Sequence, residues 1–186
     1  MREFADLFID LRTASRTQLM VRLAIMLGAV LFLAAYALAG GGNLLAWAGI
    51  FGLGALVVLQ PHALAPGLFL TFAVVSWWAT VDAGWHWALL PAALGLLVAH
   101  SGAALCASVP AQAPLPGSVL RRWAGRCAVV ALLTTGVWGV AGLLMLRNGA
   151  DLGTIPGMLG LAVLAAGLVL FVRRREARER VATPGR

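Results

Sequence analysis

The sequence from residue 23 to residue 42, LAIMLGAVLFLAAYALAGGG, decides the fold class. It contains no charged side chain, and the chain then continues to residue 119 with Asp82 as the only side chain that is fully charged at neutral pH. About 20 apolar residues suffice for one helix to cross the hydrocarbon core of a bilayer. The length of this uncharged stretch therefore predicts an all-α membrane protein whose helices cross the bilayer several times.

The composition supports the same class. Of the 186 residues, 61% are hydrophobic and 11% are charged, and the mean hydropathy is +0.92. A soluble domain is about half apolar and about a quarter charged. These values exclude a water-soluble globular domain, and they also exclude a disordered chain, which combines low hydrophobicity with high net charge.

Glycine, proline and polar residues divide the apolar sequence into runs of span length. The triplet Gly40-Gly41-Gly42 is expected to end the first helix, because glycine accepts the left-handed cap conformation. Six spans are predicted, at about residues 19–39, 44–60, 67–80, 86–109, 123–146 and 156–172. The second and third runs are short, so four spans with a re-entrant hairpin over residues 44–80 are the alternative.

The N-terminal residues are predicted to form an amphipathic helix in the membrane interface. Phe4, Leu7, Phe8 and Leu11 recur at helical spacing among charged residues and give one apolar stripe. A solvated or partner-binding helical arm is the alternative. The motif Ser15-Arg16-Thr17-Gln18 has the form of a capping box and is expected to restart the helix before the first span. Three regions result: an interfacial helix at 1–18, a membrane domain at 19–172 and a basic tail at 173–186.

The distribution of arginine predicts the orientation of the protein in the membrane. The net charge is +7, and all 14 basic residues are arginine. With either six or four spans, 13 arginines fall on the side of the termini and only Arg147 on the other. The positive-inside rule then places a multi-pass protein in the plasma (inner) membrane with both termini in the cytoplasm. Since the arginines cluster at span ends, lipid head groups are favoured over nucleic acid as their partners.

His100 is the candidate for chemistry inside the membrane. Polar groups at its depth usually face the bundle interior or a cavity. Gly95, Ala99, Ala103 and Ala107 recur at four-residue spacing in the same span and predict a close contact with another helix. A neutral imidazole that is hydrogen-bonded across two helices is the structural interpretation. A proton relay, a substrate contact or a haem ligand paired with His62 is the functional one.

Two arginine-rich segments are predicted to contact lipid or a partner. Arg121, Arg122, Trp123 and Arg126 enter the fifth span, and Arg173, Arg174 and Arg175 begin the tail. On the other side of the membrane, Asp82 lies in an outer loop, where it caps a helix or, in a sharper hypothesis, binds an external cation.

No enzyme, cofactor or metal site is predicted. The sequence contains no phosphate loop, zinc-protease motif or serine elbow. Cys106 and Cys127 are expected near the reducing cytoplasmic edge as free thiols.

The motifs Pro61-His62-Ala63-Leu64-Ala65-Pro66 and Trp78-Ala79-Thr80-Val81-Asp82, followed by His100 and Arg121-Arg122-Trp123 with Arg126, carry a resemblance. The chain resembles small actinobacterial membrane proteins that are encoded beside MoxR-class AAA+ ATPases and membrane proteins with von Willebrand factor A-like domains. The resemblance spans roughly residues 44–146. It implies a membrane component of a MoxR-linked system for protein maturation or envelope function, and it supplies no catalytic residues.

The sequence therefore favours an integral membrane subunit or scaffold without catalytic activity, which binds a partner through its Arg-rich cytoplasmic face. An AAA+ ATPase, another membrane protein or a second copy of the chain is the expected partner, beside the lipid bilayer itself. A small transporter or channel that uses His100 is the first alternative, and a membrane haem protein is the second.

Overall fold

The chain is helical over the residues that this computed structural model describes, namely 14–42, 44–61, 64–81, 86–110 and 112–148. The helices there are α1 (Arg16–Leu38), α2 (Leu44–Leu59), α3 (Ala65–Thr80), α4 (Leu89–Ala107) and α5 (Gly117–Asn148). The predicted all-α class is confirmed for these residues. The chain divides into two compact units, Met1–Thr134 and Thr135–Arg186, and the packing given below belongs to the first.

Three of these helices are long and apolar enough to cross a membrane: Arg16–Leu38, Leu89–Ala107 and the part of α5 from Gly117 to Leu144. Helices α2 and α3 have 16 residues each. That is roughly 24 Å of helix, which is less than the ~30 Å of the hydrocarbon core. The structure thus agrees with a helical membrane protein and does not support six spans. The predicted sixth span at 156–172 and residues 1–13 of the predicted interfacial helix lie outside the described residues.

The C-terminal end of α1 follows its local sequence. The Gly40 N–H donates to the Ala37 carbonyl and the Gly41 N–H to the Tyr36 carbonyl, both at 3.0 Å. This pair of bonds is a Schellman motif, which needs a left-handed residue directly after the helix. Gly40 has that conformation, with φ +72°, so the predicted glycine stop is confirmed.

Helices α1 and α4 form the most extensive helix contact in the described part of the chain. A Cβ on Gly28 would lie 2.6 Å from the Gly95 carbonyl oxygen, and a Cβ on Gly95 would lie 2.5 Å from the Gly28 carbonyl oxygen. Only glycine allows two backbones to approach so closely. Ala99 and Ala103 are buried beside Gly95, whereas Ala107, the last member of the predicted ridge, is exposed. The ridge therefore faces another helix over its first three residues only.

Helices α2 and α3 complete the group, since α2 packs against α1 and α3, and α3 packs against α4. The end of the group at the C-terminus of α1 is aromatic. Phe32, Tyr36 and Trp77 have ring centroids 6.0–6.2 Å apart. The Tyr36 hydroxyl lies 2.7 Å from Thr80 Oγ1. These contacts join α1 to α3 at the end of the bundle opposite to Arg16.

Candidate functional site: the arginine end of the bundle

The loop between α4 and α5 is tied to the first turn of α1. The Leu115 N–H donates to Thr17 Oγ1 at 2.9 Å, and Gln18 Nε2 donates to the Val109 carbonyl at 3.3 Å. The Gln18 N–H donates to Ser15 Oγ at 3.3 Å, which confirms the predicted N-cap. The reciprocal half of the capping box is wrong, because the buried Gln18 side chain reaches Val109 instead of returning to Ser15.

These bonds bring the start of α1, the end of α4 and the start of α5 to one end of the bundle. Four exposed arginines lie there, and we call them the arginine end: Arg16, Arg121, Arg122 and Arg126. The three on α5 belong to a regular helix, because α5 begins at Gly117, six residues before the start of the predicted fifth span.

The arginine end has no acidic neighbour among the described residues. All seven acidic side chains of the protein lie at positions 3, 6, 10, 82, 151, 176 and 179, which are outside the described ranges. No salt bridge can therefore form between two of the described residues.

An open groove of about 380 Å³ lies between α4 and α5 at this end. Ser101, Ser108, Arg122 and Arg126 give it polar side chains. Trp123 and Leu105 also line it. Arg121, the third arginine of the cluster on α5, does not line it. Of the predicted cluster, Arg122, Trp123 and Arg126 thus face the cavity. Arg121 lies outside it.

The hydroxyl groups of the groove are partly used within α4. Ser101 Oγ donates to the Leu97 carbonyl at 2.6 Å, and Ser108 Oγ donates to the Leu105 carbonyl at 2.7 Å. Their oxygen lone pairs remain as acceptors. Ser101 Oγ also lies 3.3 Å from Cys127 Sγ, a side-chain contact between α4 and α5.

Arg22 is a buried arginine that the sequence did not reveal. It is 3% exposed, and its Nε and Nη1 atoms have no hydrogen-bond acceptor in the described part of the protein. The sequence assigned Arg22 to the cytoplasmic edge with the other arginines. Arg22 follows Gln18 by four residues, so the two side chains share one face of the helix. Both are buried in the structure.

His100 does not face the helix bundle. Its side chain is exposed, whereas the neighbouring Ala99 is buried against α1. No hydrogen bond joins the imidazole to any residue within the described ranges, so the expected bond across two helices is not found there. Among the described residues, the face of α4 that packs on α1 is occupied by Gly95, Ala99 and Ala103, and His100 lies beside that face.

Of the remaining candidate residues, only the two cysteines lie in the described part of the chain. His62, Asp82 and the tail residues Arg173, Arg174 and Arg175 lie outside the described residues, so neither the haem pair nor the outer cation site is tested. Cys106 and Cys127 are free thiols. Among the described residues no three His, Cys, Asp or Glu side chains gather as a metal site.

No protein-family model, no curated protein and no solved structure matches the chain.

Proposed function

We propose that the protein is a non-catalytic integral membrane subunit that binds an acidic partner at its arginine end. The observation that carries this proposal is the convergence of four exposed arginines, Arg16, Arg121, Arg122 and Arg126, at one end of the bundle. Exposed arginines are enriched at protein interfaces, where they pair with carboxylates in a bidentate geometry.

The membrane topology that we favour has four spans. Helices α1, α4 and α5 have the length and hydropathy of spans, and we take the uncharged run at residues 156–172 as the fourth span. The 16-residue helices α2 and α3 then form a re-entrant hairpin that packs against α1 and α4. This arrangement places both termini and the arginine end on the cytoplasmic side of the plasma membrane, in accordance with the positive-inside rule.

The partner that we favour is a cytoplasmic protein or domain with an acidic surface. The resemblance to membrane proteins encoded beside MoxR-class ATPases makes an AAA+ ATPase the first candidate, and a membrane protein with a von Willebrand factor A-like domain the second. Electrostatic pairing of this kind is weakened by salt, because the Debye length falls from about 10 Å at 0.1 M to about 3 Å at 1 M.

The test is purification of the full chain in mild detergent from its native host, with mass spectrometry of the complex. We expect a stoichiometric partner that is released as salt rises. The charge-reversed variant Arg16→Glu/Arg121→Glu should lose this partner. The matched variant Arg16→Lys/Arg121→Lys keeps both charges and should retain most of it.

This pair of arginines is chosen because neither lines the α4–α5 groove, so the variants leave that cavity intact. If the charge-reversed protein keeps the partner at the wild-type ratio, or if no stoichiometric partner is present at low salt, the proposal is wrong.

We rank a transporter and a haem protein below the subunit. His100 lies on the exposed face of α4, away from the face on which α1 packs. A visible spectrum of the same purified sample tests the haem alternative, because a protein-bound haem would give a Soret band.

A further inference from the structure

Two arginines of α5 line the groove between α4 and α5, and the helix fixes the distance between them. Arg122 and Arg126 are four residues apart on α5, which is one helical turn and about 6 Å along the axis. Both line the groove. An anion that enters the groove therefore meets two guanidinium groups at once.

The position of this pair along α5 is that of the membrane interface. A run of 20 uncharged, mostly apolar residues begins directly after Arg126, at Cys127, and continues to Leu146. Trp123 lies between the two arginines and is half-buried, and tryptophan is enriched at the level of the lipid head groups. The indole Nε1 of Trp123 is buried and has no acceptor among the described residues. The groove thus holds two cations and an indole at head-group depth.

The surface that continues from the groove into the membrane is apolar. Leu105 lines the groove itself. Further along α5, Val129, Val130 and Leu133 are exposed, and they follow Arg126 by three, four and seven residues, which places them on the same side of the helix. A soluble anion would use the arginines and leave this surface empty. An occupant with an anionic head and hydrocarbon chains matches both parts.

We propose that the α4–α5 groove binds an anionic phospholipid, with the phosphate between Arg122 and Arg126 and the acyl chains along the apolar face of α5. The Ser101 and Ser108 oxygens, whose protons are used within α4, are acceptors for a head-group hydroxyl. The lipid site shares Arg122 and Arg126 with the arginine end, but the variants that test partner binding change only Arg16 and Arg121, which do not line the groove. Failure of one proposal can therefore be told apart from failure of the other.

The experiment measures lipid binding to the full chain in detergent, by native mass spectrometry and by quenching of tryptophan fluorescence with brominated lipid. The probe is phosphatidylglycerol, and phosphatidylcholine is the zwitterionic control. Each cation near a membrane surface contributes about 1 kcal/mol to anionic lipid binding, which is about five-fold in affinity. We therefore expect Arg122→Gln/Arg126→Gln to weaken phosphatidylglycerol binding roughly 25-fold.

Arg121→Gln is the matched control. It removes the same charge from the adjacent position, outside the groove, and should change phosphatidylglycerol binding less than two-fold. Trp123→Phe should remove a large part of the quenching by brominated lipid, because the proposed site places the acyl glycerol region beside this indole. Circular dichroism and gel filtration check that each variant is folded.

Three results would overturn the proposal. Equal losses in Arg121→Gln and in the double variant would mean that the whole basic surface attracts lipid without a site. Equal binding of phosphatidylcholine would mean that the phosphate charge is not recognised. Displacement of the lipid by millimolar inorganic phosphate would identify a site for a free anion.

Discussion

The α1–α4 contact and helix α5 are built from similar residues and have opposite surroundings. Gly28 of α1 and Gly95 of α4 face each other so closely that neither has room for a Cβ. Gly125 of α5 has nothing within 4 Å of the position its Cβ would take. Small residues thus produce close packing only where two helices present them at matching heights. The apolar surface of α5 stays open for lipid or for a partner.

The largest expected effect comes from filling the α1–α4 contact. Gly28→Ala would place a methyl group 2.6 Å from the Gly95 carbonyl oxygen, so the two backbones must separate. Overpacking of this kind costs about 3 kcal/mol when backbone has to move. Thermal unfolding in detergent should show a clearly lower midpoint.

Gly125→Ala is the matched control for this comparison. It adds the same methyl group to a helix position with open space, and alanine is favoured over glycine in a helix by roughly 0.5–1 kcal/mol. A small rise in the unfolding midpoint is expected. Similar losses in both variants would contradict the view that the two regions differ in packing.

The second effect concerns the charge buried beside the α1–α4 contact. Arg22 is 3% exposed and lacks acceptors for Nε and Nη1 among the described residues. An unpaired buried charge is costly. Arg22→Met keeps a long apolar side chain and should raise the free energy of unfolding by about 2 kcal/mol. Arg16→Gln, at an exposed position of the same helix, should change it by less than about 0.5 kcal/mol.

A lower unfolding midpoint for Arg22→Met would reverse this interpretation. It would mean that Arg22 is paired in solution by a carboxylate or phosphate from outside the described residues. The variants Asp6→Asn and Asp10→Asn would then be the next to measure, since these are the acidic residues nearest to Arg22 in the sequence.

The third effect is at the start of α1, where Ser15 is both the predicted helix cap and a hydrogen-bond donor to the loop before α5. Ser15 caps the helix through the Gln18 N–H and donates to the Ala113 carbonyl at 3.3 Å. Ser15→Ala should cost about 1 kcal/mol. Ser118→Ala, at an exposed position of the first turn of α5, should have little effect. An equal midpoint for wild type and Ser15→Ala would show that the arginine end is held by the Leu115 and Gln18 bonds alone.

The comparison also explains which features could be predicted from the sequence. Breaks such as Gly40-Gly41-Gly42 act locally, through backbone conformations that only glycine adopts easily, and the end of α1 was predicted correctly. The ridge of Gly95 and Ala99 identified the contact face of α4. Its partner Gly28 was not identifiable, because many helices in the chain carry glycine and the pairing depends on the three-dimensional arrangement.

The orientation of His100 and the burial of Arg22 were missed for the same reason. On a helical wheel His100 lies roughly 100° from Ala99, at the border between the inner and outer faces of α4. A small rotation of the helix decides between the two. Depth in the membrane is readable from the sequence, whereas direction at a given depth is set by neighbouring helices. For the same reason, the sequence did not predict that Arg122 and Arg126 face the groove and that Arg121 does not.

The smallest effect is expected at the aromatic end of the bundle, opposite to the arginines. Tyr36→Phe removes the hydroxyl that lies 2.7 Å from Thr80 Oγ1 and keeps the ring stacked on Phe32. Hydrogen bonds between membrane helices are worth about 0.6 kcal/mol on average. In this case Thr80 Oγ1 also donates to the Ser76 carbonyl at 2.7 Å, so its proton keeps a partner in the variant. A double-mutant cycle of Tyr36→Phe with Thr80→Val, measured by unfolding in detergent, isolates the bond. A coupling above about 2 kcal/mol would mean that the aromatic end, and not the glycine contact, dominates the stability of the bundle.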